Sequence, residues 1–176
     1  MNYADIKYCD VANGEGVRVS LFVSGCTHHC KECFNKEARD FHYGNPFTQK
    51  EIDRILEYLK PNYIAGLSLL GGEPMEPVNQ EGILPLLRVV KQTYPEKNIW
   101  CYTGYLFDKD VLDKMCKESE VTKEIVSYLD IVVDGEFMID RKNLKINFRG
   151  SDNQRIIDVK KTLDAGEIVH WEREIQ

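Results

Sequence analysis

The sequence predicts an α/β fold built on a mostly parallel sheet, and three observations carry that expectation. Runs with strand patterning alternate with stretches of helical periodicity along the 176 residues, the pattern of βαβ crossovers. One run, 63–70, is mostly apolar, as a strand buried on both faces is. Four strands run straight into cysteine-rich, glycine-rich or acidic loops, and in parallel sheets such loops share the face beyond the carboxyl ends of the strands.

The elements follow in order. Val17, Val19, Leu21 and Val23 alternate with Arg18, Ser20 and Phe22, a period of two that reads as a strand. Thr48 and Glu51 have the spacing of a capping box, after which Ile52, Ile55, Leu56 and Leu59 form one apolar stripe up to Pro61. The buried run “YIAGLSLL” ends in Gly71-Gly72. Leu84, Leu87 and Val90 mark a helix over 79–94 with a start blurred by Gly82 and Pro85, and Pro95 stops it. “NIWCYTG” is a strand running into glycine. Val111, Leu112 and Met115, then Ile125, Val126 and Leu129, mark two helical stretches, and Ile131 to Val133 a strand. Leu144, Ile146 and Phe148 alternate with Lys145, Asn147 and Arg149, which predicts a last strand there. The loops at Cys26 to Cys33, Gly71 to Pro74, Thr103-Gly104 and Asp134-Gly135 are expected to line one site.

The length suits a single domain over 1–176, and 43% hydrophobic with 30% charged residues leaves no case for long disorder. No basic region followed by an apolar run opens the chain, and no apolar segment approaches the ~20 residues that cross a bilayer. A cytoplasmic protein with no membrane partner is expected. The net charge of −6 argues against nucleic acid, which is met by basic patches. In a reducing compartment six cysteines point to metal or redox chemistry rather than three disulfides. Cys9, Cys101 and Cys116 lie far apart and read as small buried hydrophobes.

“SGCTHHCKECFN” holds Cys26, Cys30 and Cys33 in the pattern Cys-x3-Cys-x2-Cys, so one loop can bring three thiolates to one inorganic centre. Two centres suit it. Structural zinc takes four closed tetrahedral ligands, with His28 or His29 as the fourth, whereas a 4Fe-4S cubane ordinarily takes four thiolates. Three cysteines leave one position undecided, and an open position is what catalytic metal sites keep. Zinc sites commonly pair two knuckles, and no second knuckle stands elsewhere; the histidines read as loop residues. A thiol redox protein is disfavoured, because no Cys-x-x-Cys opens a helix in a thioredoxin-like context. Gly71-Gly72-Glu73-Pro74 taken alone is a turn signal.

“CTHHCKECFN”, “GGEP”, “WCYTGY”, “VDGEF” and “RGSDNQRIID” occur in that order between about Gly14 and Asp158. Together they resemble the activating proteins of anaerobic ribonucleoside-triphosphate reductase, in the radical S-adenosylmethionine superfamily. The resemblance implies a partial (βα) barrel with an open side. It implies that Cys26, Cys30 and Cys33 ligate three irons of a 4Fe-4S cluster and that S-adenosylmethionine chelates the fourth. Reductive cleavage then gives a 5′-deoxyadenosyl radical, which takes hydrogen from a glycine in the large subunit of the reductase. A flavodoxin-like protein would supply the electron. Gly71, Gly72, Glu73 and Pro74 would receive the methionine ammonium. Backbone at Glu32, Cys33 and Phe34 would meet the adenine, though Phe34 also reads as core. Thr103, Gly104 and Asp134 would contact ribose or carboxylate, with capping or a turn as the plainer role of Thr103 and Asp134. Arg149, helped by Ser151 and Asn153, would hold a carboxylate, or form a surface turn.

The tryptophan that often follows the cysteine loop in this family is missing here, Ala38 and Arg39 occupying that region. Rival readings are pyruvate formate-lyase activase, 7-carboxy-7-deazaguanine synthase and a non-catalytic zinc module.

Overall fold

The computed structural model describes residues 1–173. Seven strands, β1 (Asn2–Asp10), β2 (Val17–Val23), β3 (Asn45–Pro46), β4 (Ile64–Gly71), β5 (Asn98–Thr103), β6 (Ile131–Asp134) and β7 (Arg155–Asp158), form one sheet in the order β3-β1-β2-β4-β5-β6-β7. β2, β4, β5 and β6 pair in parallel, whereas β1 with β2, β1 with β3 and β6 with β7 are antiparallel. The sheet is therefore mixed, with the expected parallel strands at its centre and antiparallel edges. Connection length explains the β1–β2 edge: parallel neighbours need a long crossover, usually helical, and the link between β1 and β2 is too short for one. Among the described residues no pairing joins β3 to β7, so the sheet is open.

The helices are α1 (Gln49–Leu59), α2 (Pro77–Thr93), a π-helical stretch Phe107–Met115 leading into α3 (Cys116–Glu118), α4 (Glu120–Tyr128) and α5 (Val159–Ala165). α1 opens on the expected capping box, Thr48 N donating to Glu51 Oε2 at 2.8 Å. α2 begins at Pro77, two residues before the expected start, since proline is tolerated in the first turn, where its missing N–H has no helical partner. Ser119 caps α4, its hydroxyl accepting from Thr122 N at 3.2 Å. Among the described residues no helix is long and apolar enough to cross a membrane.

One face of the sheet packs on the helices. Val19 and Leu21 of β2, Leu67 and Leu69 of β4, Ile99 and Cys101 of β5 and Val132 of β6 meet Ile55, Leu87, Val90 and Ile125 in the main core. β4 is buried on both faces as expected, and its Gly66 lies so close to β5 that a Cβ would come within 1.9 Å of Asn98 O. The other face carries the second row of each strand. Trp100, Ile131 and Val133 cluster there with Tyr102, Phe148, Ile156 and Trp171. Arg18, on the polar row of β2, is wholly buried on this face. Its guanidinium donates to Ser68 Oγ (2.7 Å), Leu67 O (2.9 Å), Glu15 O (3.0 Å) and Asn98 O (3.2 Å) and stands 5.4 Å from the Trp100 ring.

Two strand readings change. Residues 144–150 form turns, not a strand, with Phe148 at φ +61° and its ring 5.3 Å from Trp100. Of that run Phe148 packs onto the aromatic cluster whereas Leu144 is exposed, and the last strand is β7, paired to β6. β1 went unread because its burial follows no clean alternation. Cys101 is buried and Cys116 half-buried against the core, but Cys9 is exposed in the irregular end of β1, at φ +58°, which overturns its reading as a packed thiol.

Candidate active site

The carboxyl ends of β2, β4, β5 and β6 do bring their loops to one face. After β2, Gly25 N donates to Ala38 O (2.7 Å) and Cys26 N to Arg39 O (3.1 Å), while Arg39 Nη2 donates to Cys30 O. The turn Glu37–Arg39 thus straps the cysteine loop down. The loop after β4 lies against it: Gly72 N donates to Val23 O and Glu73 N to Gly25 O, both at 2.8 Å. A Cβ on Gly72 would sit 2.5 Å from Gly25 O and 2.7 Å from Ala38 O, so only glycine permits this approach. Asn35 Nδ2 adds a bond to Gly71 O at 3.3 Å.

Cys26, Cys30 and Cys33 are free and half-buried. Burial pushes the Cys26 thiol up to about 11; it also raises Cys30, where the Glu136 charge adds. A metal centre would have to take the protons off these thiols. Cys33 Sγ accepts from Asn35 N at 3.4 Å. Among the described residues no three His, Cys, Asp or Glu side chains stand together as around a single ion. His29 Nδ1 lies 2.8 Å from Thr27 O.

Glu73 is 1% exposed and its carboxylate meets three donors. Oε1 accepts from Met75 N at 2.9 Å; Oε2 accepts from Gly104 N at 2.8 Å and from His28 Nε2 at 2.9 Å. His28 Nδ1 lies 3.1 Å from Glu136 Oε1, and with a carboxylate at each nitrogen the ring must carry both protons to donate twice. Burial opposes that charge, but Glu73 and then Glu136 outweigh it and raise the His28 pKa. Pro74 is buried behind Glu73. Glu76, also buried, accepts from Thr27 N (2.9 Å) and Thr27 Oγ1 (2.5 Å).

The other sequence candidates divide. Phe34 is 61% exposed with its ring 4.8 Å from Phe137, which overturns its core reading. Glu32 is exposed at φ +55°. Thr103 Oγ1 accepts from Tyr105 N at 3.1 Å, the turn role weighed for it. Asp134, fully buried, accepts from Phe107 N at 2.7 Å and from Arg155 Nε and Nη2 at 2.9 and 2.6 Å, a capping role plus an ion pair. Arg149 Nη1 donates to Gln154 O at 3.1 Å, leaving Nε buried without a partner. Ser151 Oγ accepts from Met138 N at 3.2 Å, and Asn153 Nδ2 donates to Glu136 O at 2.9 Å. Glu76 and Glu136 were not singled out from the sequence; the second acid of “GGEPMEP” and the acid of “DGEF” were the available signals.

Comparison with known proteins gives the chain's family. A family model described as a 4Fe-4S single cluster domain matches residues 12–157. An anaerobic ribonucleoside-triphosphate reductase-activating protein of Pasteurella multocida (strain Pm70) is 40% identical over 158 residues, 89% of this chain and 96% of that protein. The protein of the same name from Enterobacteria phage T4 is 42% identical over 89% of this chain and 93% of its own length, and that of Escherichia coli (strain K12) is 38% identical over 88% and 96%. With a shared pattern over nine-tenths of the chain, this protein belongs to the family of anaerobic ribonucleoside-triphosphate reductase-activating proteins.

Proposed function

We propose that this protein activates an anaerobic ribonucleoside-triphosphate reductase as a radical S-adenosylmethionine enzyme of one domain. Cys26, Cys30 and Cys33 would hold three irons of a 4Fe-4S cluster. When bound, the cluster and S-adenosylmethionine supply a one-electron reductive cleavage whose 5′-deoxyadenosyl radical takes hydrogen from a glycine of the reductase. The observation that carries the reading is the backbone contact of the three-thiol loop with the Gly71–Pro74 loop, which holds soft metal donors beside a buried carboxylate.

The residues fit both groups. Three thiols on one loop suit an iron-sulfur centre with an open position; both nitrogens of His28 face carboxylates, while His29 keeps Nε2 as the one ring nitrogen a zinc ion could use. A carboxylate has about four acceptor directions, and Glu73 uses three, leaving one for an ammonium N–H. The unpartnered Arg149 Nε is a donor suited to a carboxylate. Glu32 and Phe34 are exposed on the same loop as the thiols, where an adenine edge could meet them. Thr103 and Asp134 would act indirectly, by holding the β5 and β6 loops.

The open sheet is read as a partial (βα) barrel whose gap admits the reductase glycine, because hydrogen abstraction requires near contact. A flavodoxin-like donor in the cytoplasm completes the scheme. The test is anaerobic electron paramagnetic resonance on reconstituted, reduced protein. A cluster signal that changes on adding S-adenosylmethionine, and a glycyl radical on adding the reductase large subunit, are expected. Colourless protein containing zinc would overturn the proposal.

A further inference from the structure

From the cysteine loop, one side chain touches all three other strand-end loops. His28 Nε2 lies 2.9 Å from Glu73 Oε2 after β4, and Nδ1 lies 3.1 Å from Glu136 Oε1 after β6. Its ring centroid is 4.3 Å from that of Tyr105 after β5, and a Cβ on neighbouring Gly104 would come within 2.7 Å of the ring. The two carboxylates are unequal partners. Glu73 is 1% exposed and Glu136 53%, so water screens the second bond and not the first.

Of the three donors on Glu73, two are backbone N–H groups of Met75 and Gly104, and His28 is the side-chain donor. Those three leave one acceptor direction, on Oε1, and the hydrogen bond to Oε2 sets the plane of the carboxylate and hence where that direction points. We propose that His28 is a positioning residue: it aims the open acceptor direction of Glu73, so that affinity for the amino group of S-adenosylmethionine depends on it while cluster assembly does not. This rests on the function proposed above.

Two variants separate the role from simple packing. His28→Phe keeps an aromatic ring against Tyr105 and removes both donors; His28→Gln keeps one donor able to reach Glu73. Reconstituted proteins would be compared by iron content, thermal midpoint and calorimetric titration with S-adenosylmethionine. For His28→Phe, iron content and midpoint should stay near the parent while Kd rises about ten- to hundredfold, the loss of one hydrogen bond to a buried charge. His28→Gln should recover most of the affinity, and Glu136→Gln should stay within about threefold of the parent, as screened partners do. An unchanged Kd in His28→Phe would overturn the assignment. So would a loss of iron or midpoint equal to the loss of affinity, which would make His28 structural. Failure of the parent itself to bind S-adenosylmethionine would instead overturn the proposed function, and this inference with it.

Discussion

At the scale of single residues, the site is a set of donors whose removal has separable effects. Replacing Cys26, Cys30 or Cys33 by alanine takes one thiol from a loop whose sequence holds three. Each variant is expected to lose S-adenosylmethionine cleavage below detection, read as 5′-deoxyadenosine formed under reducing conditions; full retention in any one would show that residue not to be a ligand. Glu73→Gln places an amide NH2 where the carboxylate now meets only donors, so one face must lose its bond. Cofactor affinity should fall about tenfold, the scale of a hydrogen bond to a charged group, with iron content nearly intact. The thiols were legible in the sequence because three residues within eight positions need no tertiary context. Glu76 and Glu136 were not, since their partners lie far along the chain, Thr27 being 49 residues from Glu76.

At the scale of elements, contacts between strand ends hold the site. Gly72→Ala would drive a Cβ into the carbonyls of Gly25 and Ala38, which are backbone and cannot step aside. The cysteine loop should be displaced, and iron incorporation is expected to fall several-fold while far-ultraviolet circular dichroism keeps its shape. At the other edge, the buried Asp134 joins β6 to β7 through Arg155 and caps the π-helical stretch through Phe107 N. Its hydrogen bonds raise the Arg155 pKa above its ordinary value, so the guanidinium stays charged. Arg155→Ala strands a buried carboxylate and should cost about 3 kcal/mol in urea unfolding, and adding Asp134→Asn should recover part of it. No recovery would mean that Arg155 acts through packing alone. The capping box of α1 was readable from Thr48 and Glu51, being a contact across three residues. β7 was hidden because the stronger alternation at 144–150 drew the reading, and Phe148 at positive φ breaks that run.

At the scale of the whole molecule, the sheet separates a large aliphatic core from a smaller aromatic cluster holding Trp100 and Trp171. If both belong to one domain they should melt together: tryptophan fluorescence and circular dichroism should give the same urea midpoint, and two midpoints would divide the domain. The sequence by itself determined the parallel βαβ centre, the four chemically unusual strand ends and the three-thiol loop, because periodicity and close spacing are properties of neighbours. The tertiary structure decided the antiparallel edges, the burial of Arg18 and the engagement of His28 with Glu73. The last two join residues remote in sequence, 50 apart for Arg18 and Ser68 and 45 for His28 and Glu73, and the physical reason is desolvation. A buried charge must find partners wherever the fold has placed them, and no local pattern announces which ones those are.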